Sequence, residues 1–129
     1  MSCLFNSLDK CLKKLPSEVI FKNDDSLKIR TRICDYLETN PVLFDNIKTD
    51  EIIQWDIPTY ILSTYVNRMR STSTWGGAIE IRAFVKLYEV DVEVINIRDF
   101  TSKSNIEFVN EYNKYKVKIS WNGYHYEPL

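Results

Sequence analysis

One histidine and three cysteines bound the nucleophilic and metal chemistry open to this chain of 129 residues. Cys3 stands at the head of a run in which Leu4, Phe5, Leu8, Leu12 and Leu15 recur at helical spacing. Helix N-termini present unpaired N–H groups and the positive end of the helix dipole, an environment that favours thiolates and suits a nucleophile. His125 lies near the other end of the sequence, in an expected final strand, with Glu127 two residues on. Side chains alternate along a strand, so imidazole and carboxylate would share a face. A carboxylate there can orient the ring, as the third member of a thiol-protease triad does. Each residue also has a plainer reading: Cys3 as a small core hydrophobe, His125 as a half-exposed sheet residue. Only contact between Cys3 and His125 in the fold would join the three into one site.

The elements that must position these residues are legible as two kinds of periodicity. Leu4 to Leu15 reads as an amphipathic helix ended by Pro16, and Ser26 to Thr39 as a second, stopping before Asn40-Pro41. Asp56 is expected to cap a third helix, with Pro58 in its first turn and Ile61, Leu62, Tyr65 and Met69 inward. Ser71 to Thr74 is a polar connector, and Thr74 is the expected N-cap of a fourth helix, from Gly76-Gly77 to Tyr88. Ile79, Ala83, Phe84 and Leu87 would face inward along it, and Glu80 would be solvated. After Tyr88 the period becomes two: Val90, Val92 and Val94 begin a strand running through Ile95 and Ile97, and Ile106 and Phe108 mark a short second one. Tyr115 to Trp121, followed by Asn122-Gly123, predicts a hairpin with Tyr124 to Pro128. Helices followed by a small, mostly antiparallel sheet make the class α+β, in a single domain over 1–129.

Composition narrows the function. Hydrophobic residues make up 44% and charged residues 27%, which excludes wholesale disorder and a membrane span. Seventeen Lys and Arg against eighteen Asp and Glu leave no cation excess for a phosphate-driven nucleic-acid binder. Cys3, Cys11 and Cys34 are odd in number and form no CxxC pair, so neither a disulfide framework nor a structural metal site is expected. The first residues carry neither a basic n-region nor a long apolar run, and the expected compartment is a reducing cytoplasm. Asn, Ile, Lys and Tyr together form a third of the chain, a bias produced by viral and other AT-rich genomes.

Three blocks, Cys3-Leu-Phe-Asn-Ser-Leu8, Trp75-Gly-Gly-Ala-Ile-Glu-Ile-Arg-Ala-Phe84 and Trp121-Asn-Gly-Tyr-His-Tyr-Glu127, resemble in that order the signature blocks of the OTU (ovarian tumour) cysteine proteases. The resemblance spans nearly the whole chain. It implies an OTU-like fold and a thiol-dependent deubiquitinase that needs no cofactor or metal. Such an enzyme hydrolyses the isopeptide bond after the C-terminal glycine of ubiquitin, or of a ubiquitin-like modifier. It would work as a monomer, in the host cytoplasm if the source is viral. Carried over, Cys3 is the nucleophile, His125 the general base and Glu127 the orienting acid, with Asn122 as an alternative orienting residue. The backbone N–H groups of Ser2 and Cys3 would form the oxyanion hole. Trp121 and Tyr124 would either line the channel for a Gly-Gly tail or, as cross-strand neighbours, simply stabilise the hairpin. Trp75, Gly76 and Gly77 would either contribute to substrate binding or shape the helix entrance, with Trp75 filling core volume.

The sequence departs from the family at two points. Glu127 falls where the family has Asp or Asn. Met1 and Ser2 stand in the two positions before Cys3, where the family reads Asp-Gly-x-Cys. Either residues preceding Met1 supply that loop, or the amides of Met1, Ser2 and Cys3 serve in its place. These departures motivate an alternative, a catalytically impaired module that binds ubiquitin or another partner without cleaving it.

Overall fold

The computed structural model describes residues 2–97 and 105–129; Met1 lies outside the described residues. Among the described residues, five helices and six strands follow in the order α1 (Cys3–Lys13), α2 (Ser26–Glu38), β1 (Val42–Phe44), β2 (Ile47–Lys48), α3 (Thr49–Asp56), α4 (Leu62–Met69), α5 (Ala78–Tyr88), β3 (Val90–Asn96), β4 (Asn105–Phe108), β5 (Tyr115–Trp121) and β6 (Tyr126–Pro128). The four-stranded sheet has the order β4-β3-β5-β6. Its central pair, β3 and β5, is parallel, and both flanking pairs are antiparallel, so the sheet is mostly antiparallel as expected.

One core joins helices to sheet. Leu4, Phe5, Leu8, Cys11 and Leu12 form the buried stripe of α1, which packs against α2 on one side and against β5 and β6 on the other. Val90, Val92 and Val94 of β3 and Val117 and Ile119 of β5 supply the sheet's inner face, while Lys116 and Lys118 point away. α2 begins where the sequence indicates, its N-cap Asp25 accepting from the Lys28 N–H at 2.8 Å.

Three expectations of chain path are corrected. Asp56 does not cap a helix; it ends α3, an element the sequence reading missed. Pro58 pushes Ile57 out of the helical region, to φ −132° and ψ 87°, which stops α3, and α4 starts only at Leu62. Ile61 is accordingly 60% exposed instead of inward. The β1–β2 hairpin was also missed. Its turn residues Asp45 and Asn46 both have positive φ, 40° and 66°, a conformation those side chains tolerate, but the strands are too short to show periodicity. Finally, β3 ends at Asn96, although the Ile97 N–H still donates to the Trp121 carbonyl at 3.0 Å.

The entrance to α5 also differs from expectation. The Thr74 hydroxyl donates to the Arg68 carbonyl at 2.6 Å, closing the end of α4 instead of capping α5. Gly77 takes the N-cap position, and its N–H donates to Glu80 Oε1 at 2.8 Å, the reciprocal half of a capping box. Gly76 passes so close to α1 that a Cβ there would stand 2.7 Å from Leu4 Cδ2 and 3.0 Å from the Phe5 ring. Both neighbours are buried and cannot swing aside. Gly76→Ala is therefore expected to lose about 1–3 kcal/mol by overpacking. Gly77→Ala, whose Cβ would meet nothing within 4 Å, should lose under about 1 kcal/mol. Urea denaturation of both variants compares them directly, and equal stabilities would contradict the packing described.

Candidate active site

Burial of the α1 stripe leaves the opposite helical face, Cys3, Asn6, Ser7 and Lys10, at positions i, i+3, i+4 and i+7, looking into a cleft of about 510 Å³. Ser2 completes that wall, and His125, Tyr126, Glu127 and Pro128 form the other. The two ends of the sequence meet because β6 is the edge strand beside β5, and α1 packs on both. Cys3 and His125, 122 positions apart, thus face one space.

His125 is not in the last strand as expected. Trp121 pairs with Tyr126, so residues 122–125 form a four-residue connection and His125 is its last member. The Asn122 side chain organises that connection: Oδ1 accepts from the Tyr124 N–H at 2.9 Å and the His125 N–H at 2.8 Å. Gly123 takes φ 102°, which glycine alone adopts without strain. With its oxygen committed to backbone, Asn122 presents His125 without orienting its ring. Glu127 faces the ring instead, Oε1 lying 3.6 Å from His125 Nε2, with both side chains at least half exposed. The extra methylene of Glu127 does not prevent the approach.

Ser2 has three hydrogen-bond links besides its N–H. Its carbonyl accepts from the Asn6 N–H at 2.8 Å, and its hydroxyl accepts from Arg30 Nη2 at 3.3 Å and donates to the Thr72 carbonyl at 3.4 Å. The N–H of Cys3 is in the first turn of α1, where amides have no carbonyl one turn earlier to bind. Tyr126, on the facing wall, has its phenol pushed up by burial first and by the charges Cys3 and Glu80 would carry second, so it stays a neutral donor.

The remaining expected residues do not line this cleft. Trp121 is half-buried with its ring 6.5 Å from that of Tyr126, and Tyr124 is exposed on the turn. Trp75, Gly76 and Gly77 border a different cavity, with Tyr60, Tyr65 and Arg68. Trp75 does not fill the core; it is 53% exposed, and it is Gly76 that abuts Leu4 and Phe5 of α1.

Glu80 overturns the expectation of a solvated residue: it is 1% exposed. Besides the Gly77 N–H, it accepts from the Tyr65 hydroxyl at 2.7 Å. Burial pushes its carboxyl up to about 7, against the opposing effect of those donors and of Arg30. The sequence offered one signal for this burial, a Glu three residues after a Gly N-cap, a spacing that lets the carboxylate turn back. Asn6, Ser7 and Lys10 could have been found by extending the face of Cys3 along α1.

A family model of the OTU-like cysteine proteases matches residues 2–126. The chain belongs to this family. Among curated relatives, the OTU chain is 28% identical over 133 residues to ubiquitin thioesterase OTU1 of Saccharomyces cerevisiae, covering 99% of this chain and 36% of that protein. It therefore spans about a third of that relative's length. Among solved structures, an OTU domain in complex with ubiquitin superposes with a TM-score of 0.68 at 25% identity, over 98% of this chain and 62% of that one. An OTU deubiquitinase from Wolbachia pipientis wMel gives 0.67 at 25% identity, over 98% and 80%. The α+β class expected from periodicity is that of these OTU domains. No helix among the described residues is long and apolar enough to cross a membrane.

The buried Glu80 gives this OTU fold a pH dependence whose sign is fixed. The folded state holds a proton on Glu80 up to about pH 7, whereas the unfolded chain releases it in the ordinary glutamate range. This contribution is complete at low pH and is lost as pH rises through about 7, a change on the order of 3 kcal/mol. Glu80→Gln mimics the protonated carboxyl and should remove it. Melting temperatures of wild type and variant across pH 5 to 8 should therefore diverge, the wild type falling relative to Glu80→Gln; parallel curves would contradict the assignment.

Proposed function

We propose that this chain is a deubiquitinase that hydrolyses the isopeptide bond after the C-terminal glycine of ubiquitin or a ubiquitin-like modifier. The observation that carries the reading is the single cleft onto which Cys3, at the first turn of α1, and the His125–Glu127 pair both open. Membership of the OTU family and the likeness to an OTU domain bound to ubiquitin supply the substrate class.

In this mechanism the Cys3 thiolate attacks the carbonyl carbon of the terminal glycine. The N–H groups of Ser2 and Cys3 stabilise the oxyanion that forms, a role worth about 2.7–4 kcal/mol per donor where it has been measured. With Glu127 against Nε2, the ring's other nitrogen, Nδ1, is the one left to exchange a proton with Cys3. His125 then protonates the departing lysine amine, leaving a thioester on Sγ. A water deprotonated by His125 attacks the thioester, and ubiquitin leaves with a free carboxylate. Glu127 holds the ring and stabilises imidazolium, weakly, since the pair is exposed. No step calls for a metal or cofactor.

Turnover of ubiquitin carrying a C-terminal fluorogenic amide tests the reading. Cys3→Ala should abolish turnover, and His125→Ala should reduce it by about 10²–10⁴-fold, the usual contribution of a general acid–base. Glu127→Gln should lower kcat by about tenfold without eliminating it, as expected for an exposed orienting carboxylate. Full activity in Cys3→Ala would overturn the mechanism.

A further inference from the structure

We infer that Arg30, a buried arginine of α2 outside the cleft, is the positioning residue for the oxyanion-binding backbone, acting through the Ser2 hydroxyl. The inference rests on the proposed nucleophilic role of Cys3. A guanidinium is among the most expensive groups to bury, and Arg30 is 1% exposed. Among the described residues, its contacts tie the entrance to α1 to the end of α4. Nη1 donates to the Met69 carbonyl, the last residue of α4, at 2.7 Å and also lies 3.8 Å from the Met69 sulfur. Nη2 donates to Ser2 Oγ, and the guanidinium carbon stands 4.2 Å from the centre of the Phe5 ring. One cation therefore holds the residue before Cys3 and the residue two after it, and fastens both to the end of α4. Ser2 Oγ passes the restraint on to the Thr72 carbonyl in the connector that follows α4.

The backbone geometry explains why this matters for chemistry. The direction of the Ser2 N–H depends on φ of Ser2, and that of the Cys3 N–H on ψ of Ser2. These angles are −101° and 22°, values that no side-chain cap fixes, because the Ser2 hydroxyl is spent on Arg30 and Thr72 instead of the N–H groups of α1. With α1 fixed downstream, pinning the hydroxyl restrains ψ of Ser2, and with it the direction of the Cys3 N–H. An oxyanion exists only on the way to and from the thioester, so loss of alignment should appear in kcat and spare KM.

The test is a double-mutant cycle on the full chain with fluorogenic ubiquitin, kcat being normalised to titrated active sites so that unfolded protein does not count. Ser2→Ala removes the hydroxyl. Arg30→Lys keeps a cation able to reach the Met69 carbonyl but lacks the second arm of the fork. Each is expected to lower kcat about tenfold, a fraction of what loss of a whole oxyanion donor costs, with KM within about twofold of wild type. The double variant should fall no more than about threefold below the worse single one, because both changes cut the same link. Multiplicative losses, a rise in KM alone, or unchanged kcat in Ser2→Ala would each overturn the inference. If Arg30→Lys does not fold, the half-exposed Ser2→Ala decides alone by the same kcat criterion. A wild-type chain without any turnover refutes the proposed hydrolase, and this inference with it; turnover with multiplicative losses refutes this inference only.

Discussion

Burial of one face of α1 is the constraint on which the rest depends. Leu4, Phe5, Leu8 and Leu12 are almost fully buried, and each is worth about 1.5–3 kcal/mol in transfer alone. That stripe fits only one rotation of the helix about its axis, and the rotation turns Cys3, Asn6, Ser7 and Lys10 toward the sheet edge. The position along the axis is set separately. Gly76 abuts Leu4 and Phe5 with no room for a methyl group, so the helix is gripped just beyond Cys3. At its far end the Cys11 thiol donates to the Lys118 carbonyl of β5 at 3.6 Å, and the Leu129 N–H reaches the same carbonyl at 3.1 Å. Helix and β5–β6 edge thus form one body, and the cleft is the space left between their polar faces.

A second layer of control is polar and buried. Arg30, Tyr65 and Glu80 come from α2, α4 and α5, and a cation and a carboxyl with so little access to water are costly. Tyr65 donates to Glu80, and the pair and the arginine hold the ends of chain segments: the Met69 carbonyl, the Gly77 N–H and the Ser2 hydroxyl. No buried side-chain nitrogen or oxygen lacks a partner among the described residues. An apolar core could hold these helices together, but it could not direct individual backbone amides at the mouth of the cleft.

The sequence was most legible where periodicity is long and one-sided. α1 and α2, the valine strand β3 and the lysine-alternating β5 all follow their patterns to within two residues. It failed where an element is short or where one residue has two local options. Asp56 is as good an N-cap as any, yet Pro58 acts on Ile57 and ends a helix there. Asn122-Gly123 signalled the turn correctly, but the Asn side chain stabilised a four-residue connection, which moved His125 out of the strand while keeping it opposite Glu127. Cys3, His125 and Glu127 were readable as residue types; their convergence was not, since it comes from packing between chain ends. Arg30 was unreadable for a different reason, and Glu80 carried only its capping-box spacing as a signal. A charged residue on a helix is normally solvated, and burial here depends on tertiary partners 15 and 28 or more positions away.

The central claim is that packing of α1 on the β5–β6 edge makes Cys3, alone among three cysteines, the nucleophile facing ubiquitin's C-terminus. Cys11 and Cys34 are buried, and burial raises both thiols, Cys34 to about 11. The most direct measurement is reaction of the chain with ubiquitin bearing a C-terminal electrophile, followed by peptide mapping of the adduct. The account predicts one ubiquitin per chain, bonded to the sulfur of Cys3. A bond to Cys11 or Cys34, or no adduct at all, would contradict it.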